Sequence, residues 1–236
     1  MMTELTLPII GYMHSSYKEK FGIPRQPNLV QVESYIEMSV PYNDVLAFEG
    51  IEAFSHLWLV WQFHDNKNPE KTQFRPQVRP PRLGGNKKIG VFATRSMYRP
   101  SQIGLSVVRL KCVKKEGKSV RVYVTGSDLL DGTPIVDIKP YIHYSDAVIN
   151  AESGYAQDEP KRKSVIWSDR AIEQKQQLLM SEKLSLQTVQ ELEAVLSLDP
   201  RPAYQDDEAR VYKMKFAAVD IAFTVGETTV NITAVE

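Results

Sequence analysis

Two runs of alternating side chains, Val107-Val108-Arg109-Leu110-Lys111-Cys112 and Val120-Arg121-Val122-Tyr123-Val124, face each other across Glu116-Gly117-Lys118. Alternation of period two puts successive side chains on opposite faces of a strand, and a glycine-bearing turn between two such runs makes a hairpin. Val120, Val122 and Val124 then face the core, and Cys112, in step with Val108 and Leu110, reads as a small buried apolar residue. The other strand candidates up to residue 145 are Leu7–Met13, Tyr35–Val40, Phe54–Phe63, Lys88–Ala93 and Pro134–Tyr141. Short loops rich in Pro, Gly and Asn separate them, with no helical pattern between. Parallel strands need long crossovers, commonly helices, so the expected fold class is mainly β, an antiparallel sandwich or barrel.

Phe54–Phe63 is apolar on both faces, which predicts a central strand or one face of a subunit contact, with its two tryptophans read as core. After Ser145 the character changes. Residues 146–168 are polar, with Gly154, Pro160 and Lys161-Arg162-Lys163, and read as a linker. A helix is expected over Asp169–Lys183. A second follows Ser185 as N-cap, with apolar residues at Leu186, Val189, Leu192 and Leu196. A last hairpin, Val211–Val225 and Thr228–Val235 around Gly226-Glu227, completes a smaller α+β unit. The expected organisation is thus 1–145, a linker over 146–168, and 169–236.

Cys112 is the only cysteine, which excludes an intrachain disulfide and a Cys-based zinc site and fits a reducing compartment. The short apolar segment Leu5–Met13 lacks the basic stretch of a signal peptide, and no apolar run reaches the ~20 residues of a membrane span. A cytoplasmic protein is expected, with no membrane partner. His14, His56, His64 and His143 have no metal-ligand spacing, so no metal is expected.

The 29 basic and 29 acidic residues cancel, but they are unevenly placed. Between Phe74 and Pro100 lie Arg75, Arg79, Arg82, Lys87, Lys88, Arg95 and Arg99 and no Asp or Glu, where the average for the chain would supply about three acids. A basic stripe inside a neutral protein fits a polyanion, because each cation set against phosphate releases counterions. Two glycine-rimmed loops complete the picture. Gly90-Val91-Phe92-Ala93-Thr94-Arg95 begins as a strand and delivers Arg95 and Arg99 into a loop. Gly126-Ser127-Asp128-Leu129-Leu130-Asp131-Gly132 places two aspartates between glycines, by itself an Asp-Gly turn or a loop that accepts hydrogen bonds from ribose hydroxyls or amines. No Walker loop, GxGxxG turn or GxSxG elbow is present.

Several segments taken together resemble the TrmO family of tRNA methyltransferases. They are Tyr17–Phe21 with Ile23–Pro27, Phe54–Trp58, Arg79–Gly85, Gly90–Ser106, Asp128–Pro134, Asp137–Tyr141 and Asp199–Tyr204, in family order. The chain departs from the family pattern at Met97 and at Ser101-Gln102. The resemblance implies a β-barrel methyltransferase domain followed by a C-terminal domain, working as a homodimer. It implies S-adenosylmethionine as methyl donor and tRNA carrying threonylcarbamoyladenosine beside the anticodon as acceptor.

Carried over by position, the family's donor contacts fall on Gln26, Pro27, Asn28, His64, Asp65, Arg95, Leu105, Asp128, Leu129, Leu130 and Asp131. His64 and Asp128 are candidates to assist proton loss, with the catalytic group unassigned. Arg75, Arg79, Arg82, Lys87, Lys88, Arg99 and Lys139 are the tRNA-binding candidates. Two other readings stay open: a non-catalytic β-barrel RNA-binding module, and a methyltransferase acting on a small-molecule acceptor.

Overall fold

The computed structural model describes residues 5–65, 74–202, 205 and 207–236. Ala203 and Tyr204, the end of the last family-like segment, lie outside them. Strands β1 (Gly11–His14), β2 (Glu33–Met38), β3 (His56–Gln62), β6 (Ile103–Glu116), β7 (Ser119–Thr125) and β8 (Pro134–Pro140) close into an antiparallel barrel, in the order β1-β2-β7-β6-β3-β8. β8 returns to β1 through the pairs Gly11↔Ile135 and Tyr12↔Pro134, which leaves the barrel without an edge. The inward set is the alternate set: Met13, Ile36, Leu57, Leu59, Val108, Val120, Val122, Val124 and Ile135 are all fully buried.

The β6–β7 hairpin turns at Gly117, whose φ of 62° is one that a side chain would disfavour. Cys112 corrects the expectation made of it. The register slips between Leu110 and Cys112, leaving Lys111 as a bulge, so the alternation shifts and Cys112 is half-exposed. Two other strands shrink. Of Leu7–Met13, only Gly11 onward is paired, with Leu5 and Leu7 exposed. Of Lys88–Ala93, only β5 (Ile89–Gly90) pairs, with β4 (Gln77–Val78). The Arg79–Lys88 part of the basic stripe is therefore the tip of a small hairpin, closed by Val91 N–H donating to Pro76 O at 2.9 Å.

A four-stranded sheet forms the second unit, in the order β10 (Tyr212–Phe216), β11 (Val219–Val225), β12 (Thr229–Val235), β9 (Ser164–Trp167). α2 (Asp169–Met180) and α3 (Leu186–Leu196) belong to the same unit, and α1 is the short turn His143–Asp146. Ser185 caps α3 as expected, its Oγ accepting from Thr188 N–H at 3.0 Å. The stretch read as linker contains β9, which pairs in parallel with β12 and begins this unit before residue 169. What reads as one strand over Val211–Val225 is two, turning at Ala217 with a φ of 51°.

The two units interlock. Tyr17, Val30 and Val32, from the loop between β1 and β2, are buried in the core of the second unit with Leu192, Leu196, Phe216 and Phe223. Ala217 N–H donates to Ser16 O at 2.8 Å, and Lys215 N–H to the Glu19 carboxylate at 2.9 Å. The segment 15–32 is thereby fixed as a wall between barrel and second sheet.

Candidate functional site

Trp61 and Gly104 are partners across β3 and β6. A Cβ at Gly104 would overlap the Trp61 ring, so the missing side chain lets the indole lie flat over β6. Trp61 Nε1–H donates to Ser106 Oγ at 3.0 Å, and Ser106 Oγ–H donates to Asp128 Oδ1 at 2.7 Å. The chain of bonds fixes one carboxylate oxygen of Asp128. Burial pushes the Asp128 carboxyl up to about 6, against the opposing pull of the Ser106 hydrogen bond and of Arg95.

These groups open on a cleft of about 610 Å³. Its walls are the end of β3 with Phe63–Asp65, the start of β6, the loop before β8, the 20–27 segment and the 92–99 loop. Arg95 Nη1–H donates to Gln26 Oε1 at 2.6 Å across it. Leu105, a β6 residue facing outward, and Phe92 present exposed apolar surface here. Burial holds the His64 imidazole below its usual value despite Asp65, whose carboxylate pairs with Lys20 at 3.4 Å.

Of the eleven positions expected to meet a donor, the cleft gathers Gln26, Pro27, His64, Asp65, Arg95, Leu105, Asp128 and Leu130. The other three are placed elsewhere. Leu129 is fully buried in the barrel core. Asn28, with a φ of 63°, ties loops together: its N–H donates to Gly126 O at 2.8 Å and its Nδ2 to Val107 O at 2.9 Å. Asp131 accepts from Ser15 N–H at 2.9 Å and pairs with Lys18 at 2.9 Å, pinning its own loop to the chain beyond β1.

The family profile described as the tRNA-methyltransferase O N-terminal domain matches residues 12–147, and that of the TrmO C-terminal domain matches residues 160–236. The chain belongs to the TrmO family. It is 44% identical over 208 residues to the tRNA (adenine(37)-N6)-methyltransferase of Escherichia coli K12, covering 88% of this chain and 86% of that one. It is 44% identical over 223 residues to a Pseudomonas aeruginosa protein whose name contains the words S-adenosylmethionine-dependent methyltransferase, covering 93% and 92%. The crystal structure of TrmO from Pseudomonas aeruginosa superposes with a TM-score of 0.79 at 34% identity, over 100% of this chain and 99% of that one.

The cations divide within this TrmO-family scaffold. Arg99 lines the cleft itself, its Nη1–H donating to Thr94 O at 3.1 Å and its guanidinium lying 5.5 Å from the Phe92 ring centre. Arg75 stacks on Tyr98 at 5.1 Å, Arg82 donates to Asp158 O, and Arg79 faces a second cleft. Lys87 and Lys88 are exposed at the hairpin tip, while Lys139 lies on β8, 3.6 Å from Asp137.

Sequence reasoning missed several cleft residues. Trp58, expected in the core, is half-exposed on the cleft, with its Nε1–H on Asp146 at 2.9 Å. Lys20, Arg25 and Phe63 also line the cleft, although the sequence marks them only within longer segments and not as site residues, and Ser106 supports the cleft from behind through Asp128; the one local signal is a glycine inside a strand pattern. Among the described residues no three His, Cys, Asp or Glu converge as metal ligands, and no helix is long and apolar enough to cross a membrane.

Proposed function

We propose that this chain transfers a methyl group from S-adenosylmethionine to N6 of the adenosine at position 37 of tRNA, with threonylcarbamoyladenosine as the acceptor base. The observation that carries the proposal is the convergence of Arg95, Gln26, His64, Asp128 and Leu105 on one cleft in a TrmO-family chain.

The cleft suits the donor chemically. Its volume of about 610 Å³ is that of a small-molecule site. Arg95 offers a planar guanidinium for a carboxylate, Asp128 a carboxylate for a cationic group, and Leu105 with Phe92 an apolar surface for a base. Gln26 orients Arg95 through the 2.6 Å hydrogen bond. When bound, the donor supplies a methyl group already activated by its sulfonium.

The protein's contribution is then positioning and proton management. Holding N6 in line with the methyl carbon converts a bimolecular step into an effectively unimolecular one. Burial favours the neutral form of the His64 imidazole, which suits it to accept the N6 proton. Asp128 is committed to the cationic end of the donor. An anticodon loop leaves its bases partly unstacked, which lowers the cost of presenting the acceptor.

The protein works as a homodimer in this reading. Ile142, Tyr144, Val148 and Ile149, four large apolar side chains within eight residues of the segment after β8, are exposed, the last at 90%. The tRNA substrate and the absence of a second cysteine fit a cytoplasmic enzyme.

Calorimetric titration with S-adenosylhomocysteine, followed by methylation of tRNA with and without threonylcarbamoyladenosine, tests the proposal. Donor-product binding and methylation only of the modified tRNA are expected. tRNA binding without donor-product binding would make the chain an RNA-binding module, and donor-product binding without tRNA methylation would move the acceptor to a small molecule.

A further inference from the structure

A second cleft, of about 670 Å³, lies between the 20–29 segment, the 79–85 hairpin tip and the chain leaving α3. It shares Lys20, Ile23, Pro24 and Arg25 with the first cleft, so the two are adjoining compartments separated by one stretch of backbone. Its walls are apolar, with Phe21 and Leu29 on one side and Val195 and Leu198 on the other.

Its charge is unbalanced. Among the described residues the one acidic residue lining it, Asp199, is already taken, bound by Arg201 Nε and Nη2 at 2.9 Å each and by Lys163 at 3.5 Å. Lys20 is paired with Asp65. Arg25 and Arg79 are left without an ion-pair partner among the described residues. Arg25 uses one N–H on Arg201 O at 3.2 Å, which leaves most of its five donors for a ligand. Burial and the nearby Arg82 both act against its charge, and Asp199 only partly offsets them.

We propose that this second cleft is a nucleotide subsite, which takes the residue next to the acceptor adenosine, with Arg25 binding the phosphodiester that joins the two and Arg79 the phosphate beyond. The proposal rests on the tRNA-methyltransferase reading above. A strand passing from one compartment to the other must cross the residues common to both, and Arg25 is the uncommitted cation among them. A base enters the apolar walls while the backbone meets guanidinium groups, the combination that recognises single-stranded RNA.

The test is a double-mutant cycle between protein and RNA, using the full chain and an anticodon stem-loop carrying the modified adenosine. Each linkage flanking that adenosine is replaced in turn by an uncharged methylphosphonate. For the wild-type protein, one of the two replacements should weaken binding about tenfold, the scale of a lost charge-assisted hydrogen bond. For Arg25→Ala the same replacement should cost nothing further. Losses that multiply at both linkages would overturn the subsite. Should Arg25→Ala fail to fold, Arg79→Ala with the next linkage along gives the same cycle, and multiplying losses there overturn the proposal equally. If the wild-type protein binds S-adenosylhomocysteine but not the stem-loop, the tRNA reading itself falls and the subsite with it.

Discussion

Ser106 Oγ sits 2.7 Å from Asp128 Oδ1, joining a core-facing position of β6 to the loop before β8. The bond opposes burial, which has already raised the Asp128 carboxyl to about 6. Ser106→Ala removes the side-chain hydrogen bond that holds the carboxylate in its ionised form, so the carboxyl should rise further. Asp128 serves the donor's cationic end only when ionised. The affinity for S-adenosylhomocysteine should therefore fall as pH drops through about 6 in the wild type, and the midpoint should move up by roughly one pH unit in Ser106→Ala. Calorimetry from pH 5 to 8 reads both midpoints; coincident curves would remove Ser106 from this role.

Asp128 also carries a stability cost. Its folded-state value of about 6 lies above the ordinary 3.8, so the folded protein binds its proton more tightly than the unfolded chain does. The resulting stabilisation is fully present below pH 3.8 and is lost as pH rises through about 6. At neutral pH the ionised group is a liability on the order of 3 kcal/mol before solvent access through the cleft reduces it. Asp128→Asn should raise the unfolding temperature at pH 7.5, while the gain vanishes near pH 4 and donor affinity drops. An equal shift of melting temperature at both pH values would refute the linkage.

Gly104→Ala tests the packing beneath the same site. The added methyl would collide with the Trp61 ring and displace its hydrogen bond to Ser106. Overpacking of this kind costs about 1–3 kcal/mol, and here it should also weaken donor binding through Asp128. Gly90→Ala is the control, since nothing lies within 4 Å of the new methyl group. Urea unfolding should separate the two variants, and equal stability would mean that the indole can relocate freely.

The barrel was legible because its signal is local. Val120, Val122 and Val124 alternate, and the structure buries all three. The bulge at Lys111 was not legible, since a slipped register depends on the partner strand and not on the strand's own residues. β9 escaped notice for a similar reason: Ser164–Trp167 is four residues long and becomes a strand only by pairing with β12, over sixty residues away in sequence. At the site, the family resemblance brought forward positions, yet positions do not report orientation. Arg95 and Leu105 face the cleft, whereas Leu129 turns into the core from the same loop that offers Asp128.

Asp131 and Arg95 provide the sharpest contrast between holding a loop and holding a ligand. Both were expected to meet the donor, but the Asp131 carboxylate is engaged by Ser15 N–H and Lys18, while Arg95 faces the cleft with Gln26 as its side-chain partner. Asp131→Ala should leave the Ser15 N–H without its acceptor and cost about 1–3 kcal/mol of stability. Measured well below its melting temperature, its affinity for S-adenosylhomocysteine should change by no more than about threefold, because no charge–charge contact to the ligand is lost. Arg95→Ala should behave in the opposite way. Its side chain is exposed, so the melting temperature should hardly move, while loss of a carboxylate contact made by a guanidinium should lower donor affinity by about a hundredfold. If Asp131→Ala instead abolished binding in a folded protein, the carboxylate would have to leave Lys18 for the donor, and the loop would be a mobile part of the site and not its fixed frame.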